Sequence, residues 1–342
     1  MTSAPASGGQ PSPMLFFETV RSFHHAFALR TAVELDVCTA IARTNGTVAE
    51  IAKTCATSER GTRILCDYLT VLGFLTKRGD RYALTADSAT FLDSRSPAYL
   101  GKAMQFLMHP DQFQNFERLT DAVRKGKPTG STHLGPEDPI WIEFARGMAP
   151  MMFPVAQAIA QQLEKTLRGV AAPKVLDVAA SHGIFGITIA QQNPKAQIYA
   201  LDWANVLQVA KENASRAGVA DRHTLIAGSA FDADIGKGYD AVLVTNFLHH
   251  FDPATNESLL KKFFAAMNPG GQLVILEFVP DDDRISPPAA AMFSLTMLAN
   301  TDQGDAYTFA ELAHMCGNAG FRNATFVPLE AGPNSLVIAS KQ

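Results

Sequence analysis

Lys174-Val175-Leu176-Asp177-Val178-Ala179-Ala180-Ser181-His182-Gly183-Ile184-Phe185-Gly186 is the stretch on which the fold turns. It reads as a short apolar strand ending near an acid, then a turn of small residues, then the start of a helix. Open α/β sheets bind ligands beyond the carboxyl ends of such strands. Ala179, Ala180, Ser181 and Gly183 let a ligand come close to the backbone. Gly-x-Gly-x-x-Gly is absent, so the turn is not a dinucleotide fingerprint. On these residues alone, a plain strand-to-helix turn reads the same way.

Outward from that stretch the period alternates. Strands are expected at 174–178, 197–201, 224–227, 240–245 and 272–278, with helices at 184–192, 205–217 and 256–267 between them. Thr308-Phe309-Ala310-Glu311 is a capping box opening a helix that runs to Gly320. Two last strands are expected at 324–327 and 335–340. Alternating strand and helix predicts a doubly wound parallel sheet, class α/β.

Upstream, residues 15–92 read as short helices followed by a hairpin. Thr47 with Glu50 forms another capping box, Ser58 opens a helix with Ile64, Leu65, Leu69 and Leu72 on its apolar face, and Gly73 stops it. Two short strands then flank Arg78-Gly79-Asp80, so this region is a winged helix. Between Thr47 and Thr85 six basic side chains (Lys53, Arg60, Arg63, Lys77, Arg78, Arg81) meet four acidic ones (Glu50, Glu59, Asp67, Asp80), a weak footprint for phosphate contacts. Dimerisation ranks above DNA binding for this domain. The segment 97–168 is helical and rich in Met and aromatics, among them Met104, Phe106, Met108, Phe113, Phe116, Trp141, Phe144, Met148, Met151, Met152 and Phe153. Most are expected in a buried core and a few around a ligand.

The 342 residues suit two domains; 47% apolar and 18% charged residues describe a globular chain and exclude wholesale disorder. With 29 basic and 33 acidic side chains the net charge is -4, which places a nucleic-acid-binding role behind. Cys38, Cys55, Cys66 and Cys316 form no CxxC pair and fit reduced thiols in the cytosol. The longest apolar run, 289–299, is broken by Ser294 and Thr296 and falls short of a membrane span. Residues 1–13 read as a disordered tail rather than a signal peptide, so a cytoplasmic protein without membrane contact is expected.

Three strand ends carry the chemistry. Asp202, 25 residues after Asp177, is placed to accept both hydroxyls of a ribose. Gly228-Ser229-Ala230-Phe231-Asp232 follows the third strand and offers a polar edge and an aromatic to a flat base. Asn246-Phe247-Leu248-His249-His250-Phe251-Asp252 follows the fourth, with two histidines poised near neutrality as proton acceptors. Glu277, on the fifth strand, is placed to orient an imidazole and stabilise its cation. His182, His249 and His250 lack the carboxylates that a hard Mg²⁺ requires, so no metal is expected.

With these residues in place, the last 170 residues resemble the S-adenosylmethionine-dependent small-molecule O-methyltransferases. The likeness is to the homodimeric group that includes caffeic acid, hydroxyindole and bacterial polyketide O-methyltransferases. Its carriers are the acid-loop-glycine turn, Asp202, the Leu248-His249 step, Pro269-Gly270-Gly271 and Ala319-Gly320-Phe321. The resemblance implies a seven-stranded class I methyltransferase sheet whose last strand runs antiparallel, at 169–342. It also implies a winged-helix dimerisation domain at 14–96 and a helical connector at 97–168 that contributes to the acceptor pocket.

The resemblance further implies that Asp177, Ala179, Ser181 and Gly183 hold the methionine part of the cofactor. Asp202 would take the ribose, Ser229, Ala230 and Phe231 would border the adenine, and Trp203, Asn246 and Met148 would lie among the cofactor contacts. His249 falls where the family has its general base and Glu277 matches its partner; His250 replaces an aspartate and is the other candidate base. Phe144, Met152, Phe247, Met292, Phe293, Thr296 and Asn300 would line the acceptor pocket, which suits an apolar or aromatic acceptor. The family's glycines are here Ala179-Ala180-Ser181, its acid after Gly228 is Ser229, and its second acid falls at Ala306, beside Asp305. S-, C- or N-methylation through the same site is the alternative within enzymes. A nicotinamide dehydrogenase and a ligand-sensing regulator are the rivals from other classes.

Overall fold

The computed structural model describes residues 10–130, 135, 137–330 and 332–342; of the tail expected at 1–13, residues 1–9 lie outside the described residues and 10–13 are exposed. The chain divides into two compact units, Met1–Met104 and Gln105–Gln342, with the division inside the stretch expected as a connector.

In the first unit five helices (Met14–Arg21, Phe23–Glu34, Val37–Arg43, Val48–Thr54, Glu59–Val71) precede the antiparallel hairpin β1 (Leu75–Arg78) and β2 (Arg81–Leu84), and a short helix, Ala86–Phe91, follows. Thr47 and Glu50 close the expected capping box, and the Ser58 hydroxyl accepts from Gly61 N at 3.1 Å. Ile51, Cys66, Leu69, Leu75 and Tyr82 form its core. The charge of Lys77 in the wing is answered within the unit: Asp67 accepts from Lys77 Nζ at 2.5 Å, Tyr82 Oη at 2.7 Å and Arg63 at 3.0 Å. The helix Met14–Arg21 buries none of its residues.

The second unit is built on a seven-stranded sheet: β3 (Lys174–Val178), β4 (Gln197–Asp202), β5 (His223–Ala227), β6 (Tyr239–Thr245), β7 (Met267–Glu277), β8 (Arg322–Pro328) and β9 (Ser335–Ser340). Their order is β5-β4-β3-β6-β7-β9-β8, and β9 runs antiparallel to both neighbours. Central strands covered on both faces are near-continuously apolar, as in Ala241-Val242-Leu243-Val244, which is wholly buried. Chain order runs outward from β3 through β4 to β5, then restarts on the other side at β6. The strand tips of β3 and β6 therefore flank the topological switch point, where a ligand crevice forms.

Two elements depart from expectation. β7 starts at Met267 rather than 272, because Gly270 (φ 81) lets the chain pair early, with a register shift between Tyr239 and Ala241. The helix expected at 256–267 runs Pro253–Ala266, because Asp252 caps it, accepting from Thr255 N at 3.0 Å, and Pro253 takes the first position. A 28-residue helix, Ile140–Leu167, carries Pro150 and Pro154 and lays Val155, Ala156, Ile159 and Leu163 in the core with Phe185 and Ile187 of the helix Ile184–Gln192. Of the Met and aromatic side chains expected in a core, Met108 and Met152 are buried, but Phe116, Met151 and Phe153 are exposed. They fall outside the stripe that the long helix and its neighbours turn inward.

Candidate active site

The turn after β3 is built by backbone shape. Ala179 and Ser181 adopt left-handed φ values of 52 and 51, and Gly183 follows at 71. A Cβ on Gly183 would stand 2.9 Å from Ala210 Cβ, so glycine is required there on both counts. Asp177, expected among the cofactor contacts, also has a partner within the chain. Its carboxyl is wholly buried; Oδ2 accepts from Gly186 N at 3.1 Å, bracing the first turn of the helix Ile184–Gln192, while Oδ1 has no partner. Burial pushes its pKa up to about 7. The Ser181 hydroxyl is likewise buried and unpartnered.

At the tip of β4, Asp202 Oδ2 accepts from Ser181 N and Oδ1 from Trp203 N, each at 2.7 Å. Burial pushes its carboxyl up to about 6. The acid thus ties its own loop to the β3 turn. After β5, the Ser229 hydroxyl accepts from Phe231 N at 3.2 Å, and Phe231, 44% exposed, meets Phe251 edge-on at 5.2 Å. Lys262, which the sequence reading passed over, shapes this loop: its ammonium donates to the carbonyls of Ala230, Phe231 and Ala233 at 2.9, 3.0 and 2.9 Å.

The tips of β6 and β7 bring His249 and Glu277 together. Glu277 Oε2 lies 2.6 Å from His249 Nδ1, with the two residues 6% and 2% exposed. Its Oε1 accepts from Phe247 N at 2.9 Å and His249 N at 3.3 Å. A carboxylate held by donors accepts the Nδ1 proton, which leaves Nε2 with its lone pair. Phe293 meets the His249 ring edge-on at 4.9 Å and stacks on Phe278 at 3.8 Å. His250 sits against His249, ring centroids 4.3 Å apart; burial first, and the neighbouring imidazole second, hold its pKa well below the usual histidine value.

Several supports of this turn come from outside it. Asn246, at φ 50, accepts through Oδ1 from Asn334 Nδ2 at 2.9 Å. Gly304 lies so close that a Cβ would stand 2.1 Å from the His249 carbonyl oxygen. Asn256 donates to Leu248 O at 2.9 Å and Phe251 O at 3.3 Å. Asn334, Gly304 and Asn256 lie outside any motif, and no local signal marks them; packing alone assigns them.

The remaining expected residues are spread more widely. Phe144 packs edge-on with Phe106 at 4.6 Å, and Trp141 reaches Trp203 at 5.6 Å. Met148 is half-buried against the core of the long helix, Met152 is buried within it, and Met292 is 71% exposed. Asn300 Oδ1 accepts from Asn115 Nδ2 at 3.0 Å, and its own amide donates to the Thr296 carbonyl at 2.9 Å. Ala306, where the second acid was sought, is buried; Asp305 beside it pairs with Arg284 at 3.3 Å, and Arg284 also binds Glu311.

Against known proteins, residues 116–322 match the O-methyltransferase domain family and residues 17–94 the O-methyltransferase dimerisation domain family. The chain is 29% identical over 350 aligned positions, covering 100% of both sequences, to the 3-hydroxy-5-methyl-1-naphthoate 3-O-methyltransferase of Streptomyces sahachiroi. A crystal structure from Nostoc punctiforme, itself provisionally assigned as an O-methyltransferase, is 49% identical, with a TM-score of 0.92 over 97% of this chain and 100% of that one. The human N-acetylserotonin methyltransferase, solved with S-adenosylmethionine, shares the fold at 21% identity, with a TM-score of 0.83 over 98% of this chain and 99% of that one.

Proposed function

The chain belongs to the O-methyltransferase family, and from that premise we propose that it transfers the methyl group of S-adenosylmethionine to a hydroxyl of a small aromatic acceptor, with His249 as general base. The observation that carries the reading is the buried His249 Nδ1–Glu277 Oε2 contact of 2.6 Å at the tips of β6 and β7, next to the switch point of the sheet.

S-adenosylmethionine supplies an electrophilic methyl on sulfur. The residues present fit it. The Asp202 carboxylate at the β4 tip suits the ribose diol, and the buried Ser181 hydroxyl, without a partner among the described residues, is a polar atom that a ligand would satisfy. The half-exposed Phe231 ring offers a face to the adenine, and Trp203, Ser229, Ala230, Asn246 and Met148 complete the set. Where the family has glycines, Ala179 and Ser181 hold the left-handed conformation that glycine adopts readily.

An aromatic hydroxyl has a pKa near 10 and is almost wholly protonated at neutral pH. His249 Nε2 takes that proton, and Glu277 stabilises the resulting imidazolium while fixing its ring. A positioned base of this kind contributes about 10²–10⁴-fold. His250, with its proton affinity held down, stays neutral and is the weaker base. Phe293 and Phe278 shield the base and give the acceptor a flat apolar wall; alignment in a water-poor pocket supplies the remaining acceleration. A naphthoate-like acceptor is the reading nearest the Streptomyces relative. Homodimerisation through the N-terminal unit accompanies it. Four free cysteines fit the cytosolic setting.

The test is His249→Asn, assayed with hydroxynaphthoates and titrated calorimetrically with S-adenosylhomocysteine. Turnover is expected to fall about 10²–10⁴-fold while ligand affinity holds. An unchanged rate would overturn the base and favour methylation of an atom that needs no deprotonation, such as a thioether sulfur.

A further inference from the structure

We propose that Asn256 is a positioning residue for the base: its amide holds the short turn that carries His249 and thereby sets the direction of the imidazole. The inference rests on the reading of His249 as general base.

Asn256 sits in the first turns of the helix Pro253–Ala266 and is 0% exposed. Its Nδ2 donates to Leu248 O at 2.9 Å and to Phe251 O at 3.3 Å, the carbonyls on either side of the His249-His250 pair. Its Oδ1 is buried with no partner. A buried, unpaired acceptor is unfavourable, and an apolar side chain of equal volume would avoid it. What the amide supplies at this position is therefore its pair of N–H groups.

The rest of the turn is held from the opposite side. Glu277 Oε1 takes the N–H groups of Phe247 and His249, and Gly304 lies on the His249 carbonyl. Tyr307 donates to the Phe251 carbonyl, but among the described residues Asn256 is the side chain that binds the carbonyls at both ends. Without its amide, Leu248 O keeps only the in-turn bond from Phe251 N at 3.2 Å. The turn can then rotate about the Glu277 contacts and carry Nε2 away from the acceptor hydroxyl. A displacement of about 1 Å at a reacting group costs on the order of 10²-fold in rate.

The experiment uses the full-length chain with Asn256→Leu, which keeps the volume without an amide, and Asn256→Asp, which keeps the shape without the two donors. Three readouts separate positioning from bulk stability. The first is the far-downfield imidazole N–H proton, assigned by its loss in His249→Asn. The second is turnover of a hydroxynaphthoate against that of a dinitrophenol already ionised at the assay pH. The third is calorimetric affinity for S-adenosylhomocysteine. Expected are loss or broadening of the downfield proton, a fall of order 10²-fold in kcat with the naphthoate, a much smaller fall with the ionised phenol, and unchanged ligand affinity. The proposal is overturned if both variants keep the resonance and the rate, if both acceptors lose equally, or if ligand affinity falls with the rate. If the wild type lacks the resonance, or His249→Asn keeps its activity, the base reading itself fails and this inference falls with it.

Discussion

In the proposed site Asp202 would serve both its own chain and the ribose with one carboxylate. Within the chain it already accepts Ser181 N and Trp203 N, yet burial lifts its pKa to about 6. A ribose diol donates best to the ionised form, so if Asp202 takes the ribose as proposed, ligand binding is linked to that ionisation. Affinity for S-adenosylhomocysteine is expected to be flat near neutral pH and to weaken toward about tenfold per pH unit below pH 6. Asp202→Asn should bind weakly throughout and lose the slope; calorimetry across that range decides it. His223 is a residue of the opposite kind: buried, both ring nitrogens unpartnered, its pKa pushed down to about 4 by burial. A histidine whose folded pKa is depressed contributes fully above about 6.5 and loses that contribution as pH falls toward its folded value, since the unfolded chain takes the proton first. His223→Leu is expected to gain of order 1 kcal/mol at pH 7 and more at pH 5, measured by urea unfolding at both. A smaller advantage at pH 5 would refute it.

Among the elements, the β3 turn separates residues that tolerate their conformation from one that needs glycine. Gly183→Ala places a methyl 2.9 Å from Ala210 Cβ at φ 71, and a loss of about 1–3 kcal/mol is expected with weaker ligand binding. Ala179→Gly relieves a left-handed alanine while adding unfolded-state freedom, so it is expected to lie within about 1 kcal/mol of the wild type. Thermal unfolding of the pair would show whether the contrast holds. The same scale shows how element ends are read. Thr47 and Thr308 were legible as caps because both halves of the box lie three residues apart, and both boxes form. Asp252 opens the helix that delivers Asn256 with no Glu or Gln three residues on, so no capping box marks it in the sequence.

For the whole molecule, the unsettled surface is the first helix. Met14, Leu15, Phe16, Phe17 and Val20 are exposed, as are Phe23 and Phe27 on the next helix. Contiguous apolar exposure of this kind marks an interaction face, and it begins just ahead of, and runs into, the segment that matches the dimerisation family. The chain is expected to sediment at twice its 36.8 kDa, and a Phe16→Ser, Phe17→Ser, Phe23→Ser triple variant to shift to monomer or to precipitate. A wild-type monomer at micromolar concentration would refute the dimer.

Taken by itself, the order of residues determined the alternation of strand and helix, the two capping boxes, and the acids and histidines at strand ends. All of these are local: strand and helix periods, cap spacings and chain reversals are written within a few residues. Only the tertiary structure decided that Asp177 turns its carboxyl onto a helix, that the expected Glu277–His249 pair closes through Nδ1 at 2.6 Å, and that Asn256, Lys262, Gly304 and Asn334 hold the loops beside them. Those roles depend on which distant segments share a face, and packing is set by the whole core rather than by the period of any one element.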